Sequence, residues 1–319
     1  MPELTVGKLR GLWQCSDERG TLSLLALDHR NNLRKALNPE GPAEVGDDEL
    51  TAFKREAVAA LAGAATAVLL DPEFGAAQCI ASGSLPGDRG LIVALERTGY
   101  GADPHARESC VLEGWGAGKV RRMGASAAKL LVYYHPEAST ARRIEELVRD
   151  VASECAREDL LLVLEPLAYN PDPRGGPLSP EARRRTILET ARRLVGPGVD
   201  VLKAEFPAAS TEETEWRAAC QELSAASPAP WILLSAAVDF ETFLRQTDVA
   251  CRAGASGVAV GRAVWSEATR LSGPQRAAFL GGEASQRMAA VTACCKGQAR
   301  PWTAVYSAPA IDPQWFSRY

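Results

Sequence analysis

Residues 127–206 hold three short apolar runs, AAKLLVYY (127–134), LLLVLEP (160–166) and DVLKAEF (200–206). Two longer amphipathic stretches separate them, STARRIEELVRDVASECARE (139–158) and SPEARRRTILETARRL (179–194). The runs are continuously apolar rather than alternating, as strands of a parallel sheet covered on both faces are. In the first long stretch Ile144, Leu147, Val151 and Cys155 share one helical face, with charges elsewhere, and Ser139 is the expected N-cap. In the second, Pro180 stands just inside a helix start, where a missing N–H costs little. Strand, helix, strand, helix, strand is the repeating unit.

The same alternation continues in both directions. LSLLALD (22–28), ATAVLLD (65–71) and LIVALE (91–96) come before; WILLSA (231–236) and GVAVGR (257–262) come after, which makes eight strand-like runs. Helical patterns fall at 47–63, roughly 76–83, 116–124, 139–156, 179–195, 211–226, 239–253 and 263–271. Eight β–α units predict an α/β fold, a (β/α)8 or TIM barrel, as one domain over residues 1–319. A doubly wound sheet is the main competitor, but no glycine-rich dinucleotide fingerprint follows the first run. GWGAGK (114–119) lies between Glu113 and Val120 and is not a nucleotide phosphate loop. The glycine-rich stretch 81–115 is expected as loop around the third strand. The chain from about 298 is expected as an irregular C-terminal extension, its aromatics packing on the barrel or on a neighbouring subunit.

The 319 residues are 46% hydrophobic and 24% charged, with a net charge of −4, so the basic footprint of a nucleic-acid partner is absent. Phosphorylated small molecules stay in play, because they bind through local positive charge and backbone amides. No uncharged run approaches the roughly 18 residues of a membrane span. The eight cysteines form no CxxC pair, and His29, His105 and His135 are too scattered for a zinc site, so no metal or cofactor is expected. The start, MPELTVGKLRGL, lacks the apolar core of a secretory leader, and the expectation is a reduced cytoplasmic protein. Apolar helix faces and the aromatic tail are compatible with a homo-oligomer.

In such a barrel, chemistry gathers where strands end and the following loops begin. Polar residues there are Asp28, His29, Arg30, Asp71, Glu73, Glu96, Lys129, Glu165, Lys203, Glu205, Ser235 and Arg262. The two lysines are the informative pair, because burying an ammonium is costly unless it is paired. Lys129 and Lys203 interrupt the fourth and sixth runs, and alternate strands feed the same interior layers. Two neighbouring ammonium groups disfavour each other's charge, and a neutral lysine is what Schiff-base formation requires. The plainer alternative is that each lysine only pairs with Glu165 or Asp28. Glu165, between the two lysine strands, is placed to shuttle protons. Asp28 would orient a lysine or a substrate hydroxyl, His29 would contact substrate at the rim, and Arg30 would clamp an anion. Ser235 after the seventh run, and Gly261 and Arg262 after the eighth, stand where barrel enzymes bind phosphate.

In order and spacing, LSLLALDHR, AVLLDPEFG, GASAAKLLVYYHP, LVLEPLAY, VDVLKAEFP, LLSAAV and GVAVGRAVWSEA resemble the bacterial tagatose-1,6-bisphosphate aldolases and the related sulfofructose-phosphate aldolases, from about residue 20 to about 270. The resemblance implies a metal-independent class I barrel aldolase. Such an enzyme cleaves a phosphorylated ketose, tagatose 1,6-bisphosphate-like or 6-deoxy-6-sulfofructose 1-phosphate-like, to dihydroxyacetone phosphate and an aldehyde. By motif it implies Lys203 as the Schiff-base lysine, Lys129 as its neighbour and Glu165 as the acid/base carboxylate. Asp28 and Arg30 fall in the family's LDQR-type motif, and Ser235 and Arg262 where it binds phosphate. His29 departs from the family's common Gln, and Asn31-Asn32 follow where other residues are usual. Two other readings keep the barrel: a sugar-phosphate-binding regulator with little turnover, and a metal-free phosphosugar isomerase or epimerase. Interior paired amines disfavour the second, whose chemistry needs carboxylates or histidines.

Overall fold

The computed structural model describes residues 1–101, 103–236 and 238–319. Eight parallel strands close into a barrel in sequence order. They are β1 (Leu22–Leu27), β2 (Ala67–Leu70), β3 (Gly90–Ala94), β4 (Ala127–Tyr134), β5 (Leu161–Ala168), β6 (Val201–Ala204), β7 (Trp231–Leu234) and β8 (Gly257–Val260). The seam is β8 on β1, with Gly257 opposite Leu22. Gly257 has φ +141, and a Cβ there would lie 1.7 Å from the Leu22 carbonyl oxygen. Only glycine lets the last strand approach the first this closely.

Side chains alternate along each strand, so the barrel has two apolar layers. Leu25, Val68, Val93, Leu130, Leu164, Leu202, Leu233 and Val258 point outward to the helices. Leu24, Leu69, Ile92, Ala127, Val163, Val201, Ile232 and Ala259 fill the interior. Each large aliphatic side chain buried this way contributes ~1.5–3 kcal/mol. The bottom is closed by the helix Val6–Cys15 and by Trp302 and Tyr306. Trp302 donates its indole N–H to Ser16 Oγ at 3.1 Å, and the Tyr306 hydroxyl donates to the Asp200 carbonyl at 3.0 Å. The segment after 298 thus contains short 3-10 turns, Trp302–Ala304 and Trp315–Ser317, of which the first plugs the barrel.

Most helices lie where the periodicity predicts, including Asp47–Leu61, Pro180–Leu194 and Phe240–Arg252. Ser179 caps the second of these by accepting from the Ala182 amide, with Pro180 in its first turn. Ser139 is not an N-cap: the helix is Ala141–Arg157, and Thr140 at its cap turns its hydroxyl to Tyr169. The eighth helical layer also differs. The stretch 263–271 forms a short helix, Arg262–Trp265, and a 3-10 turn, Ser266–Arg270. The layer is instead completed by Gly273–Phe279, a π-helical turn and Ser285–Gln298. Two further helices, Val6–Cys15 and Asn31–Leu37, precede and follow β1. Among the described residues no helix is long and apolar enough to cross a membrane.

Candidate active site

Followed toward the C-terminal ends of the strands, the inward positions change from apolar to polar. In β4 they run Ala127, Lys129, Leu131, Tyr133; in β5, Leu161, Val163, Glu165, Leu167; from β6 onward, Val201, Lys203, Glu205. The upper members line a cavity of about 490 Å³ at the mouth of the barrel. Asp28, His29, Arg30, Glu96, Ser235, Gly261 and Arg262 line it as well. All nine site residues expected from the sequence therefore meet in one place.

At its floor three carboxylates surround one ammonium. Lys129 Nζ, fully buried, lies 2.8 Å from Asp28 Oδ2, 2.7 Å from Glu96 Oε1 and 2.8 Å from Glu165 Oε2. Burial alone would lower the Lys129 pKa, but Asp28, Glu165 and Glu96 outweigh it and hold the ammonium well above its ordinary 10.5. Burial would raise the Asp28 and Glu165 carboxyls, but Lys129 and Lys203 outweigh it: Asp28 sits well below its ordinary range and Glu165 is lowered too. Burial prevails at Glu96, whose carboxyl is raised despite Lys129. Lys203, 4% exposed, places its Nζ 2.9 Å from Glu165 Oε2. The two lysine Nζ atoms thus share one carboxylate oxygen.

Register explains this sharing. Lys129 is level with Val163, and Val163 with Val201, so Lys203 sits two residues nearer the mouth on that ladder, as Glu165 does on β5. Glu165 thus reaches down to one lysine and across to the other.

Arg30 is buried and engaged internally: Nη1 lies 2.6 Å from Glu73 Oε2, and Nη2 donates to the Glu96 carbonyl at 2.7 Å. It braces the loops after β2 and β3. Asp71, fully buried with Lys54, accepts from the Glu73 and Phe74 amides and shapes the turn that presents Glu73. Arg262, by contrast, has no ion partner among the described residues, and its buried Nε has no hydrogen-bond partner. Burial lowers its pKa from the ordinary guanidinium value. Beside it, the Gly261 amide donates to Ser235 Oγ at 3.0 Å. GWGAGK takes no part: the helix it opens has its Ala117 amide filled by Glu154 Oε1.

Glu96 and Lys54 are among the participants to which the sequence assigns no task. Glu96 ends the third apolar run as Asp28 ends the first, which is its signal. Lys54 lies four residues from both Leu50 and Val58 on the buried face of its helix, a charge on an apolar stripe.

A family model described as "DeoC/LacD family aldolase" matches residues 22–267. The chain is 31% identical to a tagatose 1,6-diphosphate aldolase of Staphylococcus aureus over 285 residues, covering 83% of this chain and 86% of that one. Its fold is similar to that of an archaeal fructose 1,6-bisphosphate aldolase, with TM-score 0.60, 19% identity, and 91% and 99% of the two chains covered. It is also similar to an archaeal fructose-1,6-bisphosphate aldolase whose catalytic lysine carries a carbinolamine intermediate, with TM-score 0.56, 18% identity, and 89% and 99% covered. Sequence match, barrel and clustered site together place this chain in the DeoC/LacD family of aldolases, carbon–carbon lyases of carbohydrate metabolism.

Proposed function

We propose that this chain is a class I aldolase that uses Lys203 as a Schiff-base nucleophile to cleave a phosphorylated ketose reversibly to dihydroxyacetone phosphate and an aldehyde. Its substrate would be of the tagatose 1,6-bisphosphate or 6-deoxy-6-sulfofructose 1-phosphate kind. The observation that carries the reading is the asymmetry of the two lysines. Lys129 is held by three carboxylates, whereas Lys203 meets one carboxylate at the floor of the cavity. The first is fixed as a cation; the second can lose its proton to Glu165 and attack.

The neutral Lys203 amine adds to the C2 ketone, and Glu165 protonates the departing hydroxyl to leave an iminium ion. Glu165, again a carboxylate, takes the C4 hydroxyl proton as the C3–C4 bond breaks, with the electron pair drawn toward the iminium nitrogen. The aldehyde leaves, the enamine is protonated at C3, and hydrolysis releases dihydroxyacetone phosphate. Asp28 and Glu96 keep Lys129 protonated, and Lys129 stabilises negative charge on substrate oxygens. Arg262 and Ser235 supply the donors for the C1 phosphate.

Turnover of a panel of ketose phosphates, followed by coupled detection of dihydroxyacetone phosphate, tests the reading. Activity with at least one of them, insensitive to EDTA and abolished in Lys203→Met, is expected. No turnover by the wild type would leave a sugar-phosphate-binding barrel instead, and EDTA-sensitive cleavage would contradict the Schiff-base route.

A further inference from the structure

The steps above leave the proton at C3 without a carrier, and the cavity wall holds a histidine to which they give no task. The His29 side chain is 19% exposed and lines the cavity, with its ring edge-on to Trp265 at 5.2 Å between centroids. On the β8 side, a Cβ on Gly261 would lie 3.1 Å from His29 Cε1, so the bare backbone there makes room for the ring. Nδ1 is buried without a hydrogen-bond partner and faces Asp28 Oδ1 at 3.9 Å. A proton on Nδ1, toward the carboxylate, leaves Nε2 as the ring's acceptor.

The carboxylates of the cavity are committed. Asp28, Glu96 and Glu165 contact Lys129, and Glu165 also contacts Lys203. Glu205 accepts from the Ala168 amide and from Arg183. Around the imidazole stand Asp28, Arg262, Lys203 and Lys54. Burial lowers its pKa to about 4, with Arg262, Lys203 and Lys54 adding to the effect and Asp28 opposing it. The ring is therefore neutral at neutral pH, the state in which it accepts a proton. In the closed ring of eight strands β1 stands opposite β5, so His29 and Glu165 enter the cavity from opposite walls.

We propose that His29 carries the proton exchanged at C3 of the imine-bound triose phosphate. In the direction of enamine formation, the C3–H bond breaks and its proton goes to Nε2. The electron pair forms C2=C3, and the C=N pair moves onto the Lys203 nitrogen. A cationic iminium and a neutral imidazole become a neutral enamine and an imidazolium beside the Asp28 carboxylate. In cleavage the same step runs backward. The proposal rests on the aldolase reading, and its test separates the two.

Wild type, His29→Gln and His29→Ala are each incubated with dihydroxyacetone phosphate alone. One arm traps the imine with borohydride; the other follows deuterium entry at C3 in D2O by NMR. All three proteins are expected to form the Lys203 adduct. Exchange is expected to fall about 10²-fold or more in His29→Gln, whose amide bonds but does not carry protons, and in His29→Ala to recover partly with added imidazole. Adduct formation with unchanged exchange in both variants would overturn the role of His29 and leave the aldolase reading standing. No Lys203 adduct in the wild type would overturn both.

Discussion

Lys203 Nζ lies 2.9 Å from Glu165 Oε2, the same oxygen that lies 2.8 Å from Lys129 Nζ. One carboxylate oxygen thus contacts both lysines, and in the proposed mechanism it would serve as proton exchange partner for the nucleophile and as counter-ion for its cationic neighbour. Glu165→Gln keeps shape and removes both services. Its kcat is expected to drop by about 10²–10⁴-fold with KM changed much less, as loss of a positioned acid/base produces. Steady-state kinetics on the best substrate checks this; an equal rise in KM alone would assign Glu165 to binding.

Lys129 compensates three buried carboxylates, so Lys129→Met strands them. A destabilisation of about 3–5 kcal/mol is expected from urea unfolding near neutral pH, the scale for breaking a buried ion pair from one side. Lys129→Met combined with Glu96→Gln should recover part of it.

The pH limbs follow from the same cluster. Asp28 sits well below its ordinary 3.8, so its contribution is present above that pH and is lost as pH falls through the folded value. Lys129 sits well above its ordinary 10.5, so its contribution is complete below that pH and is lost as pH rises through the folded value. Denaturation midpoints of Asp28→Asn should decline less steeply than wild type below about pH 4, where Asp28 is no longer there to protonate. A wild-type acid limb matched by the variant would contradict the pairing.

Arg262 is a half-buried, cavity-lining guanidinium without an ion partner among the described residues, and Arg30 is engaged by Glu73 and Glu96. Arg262→Ala is expected to weaken competitive inhibition by inorganic phosphate at least about tenfold, the scale of a lost charge-assisted hydrogen bond. Arg30→Ala should instead lower the unfolding midpoint. If Arg30→Ala alone weakened phosphate inhibition, the anion site would lie at the other end of the cavity.

The barrel seam gives a prediction independent of chemistry. Gly257→Ala places a Cβ 1.7 Å from a backbone oxygen of β1, so loss of about 3 kcal/mol or more, or failure to fold, is expected by thermal unfolding. Gly46→Ala, where a Cβ meets nothing within 4 Å, is the control.

The strands were legible because a parallel barrel strand is buried on both faces and leaves a continuous apolar run. Asp28, Lys129, Glu165 and Lys203 were legible for the same reason, as charges that interrupt or end such runs. The eighth helical layer was not, because Ser285–Gln298 buries only Met288, Val291 and Cys295 and carries only a faint apolar stripe. The task of Arg30 was not legible either. Its partners Glu73 and Glu96 follow different strands, and only closure of the barrel brings them together. Glu96 shows the boundary well: its position at a strand end is visible in the sequence, and its contact with Lys129 depends on how the chain bends beyond β3.

The most direct test of the central claim is borohydride reduction of the wild-type enzyme with dihydroxyacetone phosphate, followed by peptide mapping. The account predicts a reduced triose-phosphate adduct on the peptide containing Lys203, absent in Lys203→Met. An adduct on Lys129 instead, or substrate cleavage with no covalent adduct at any lysine, would contradict it.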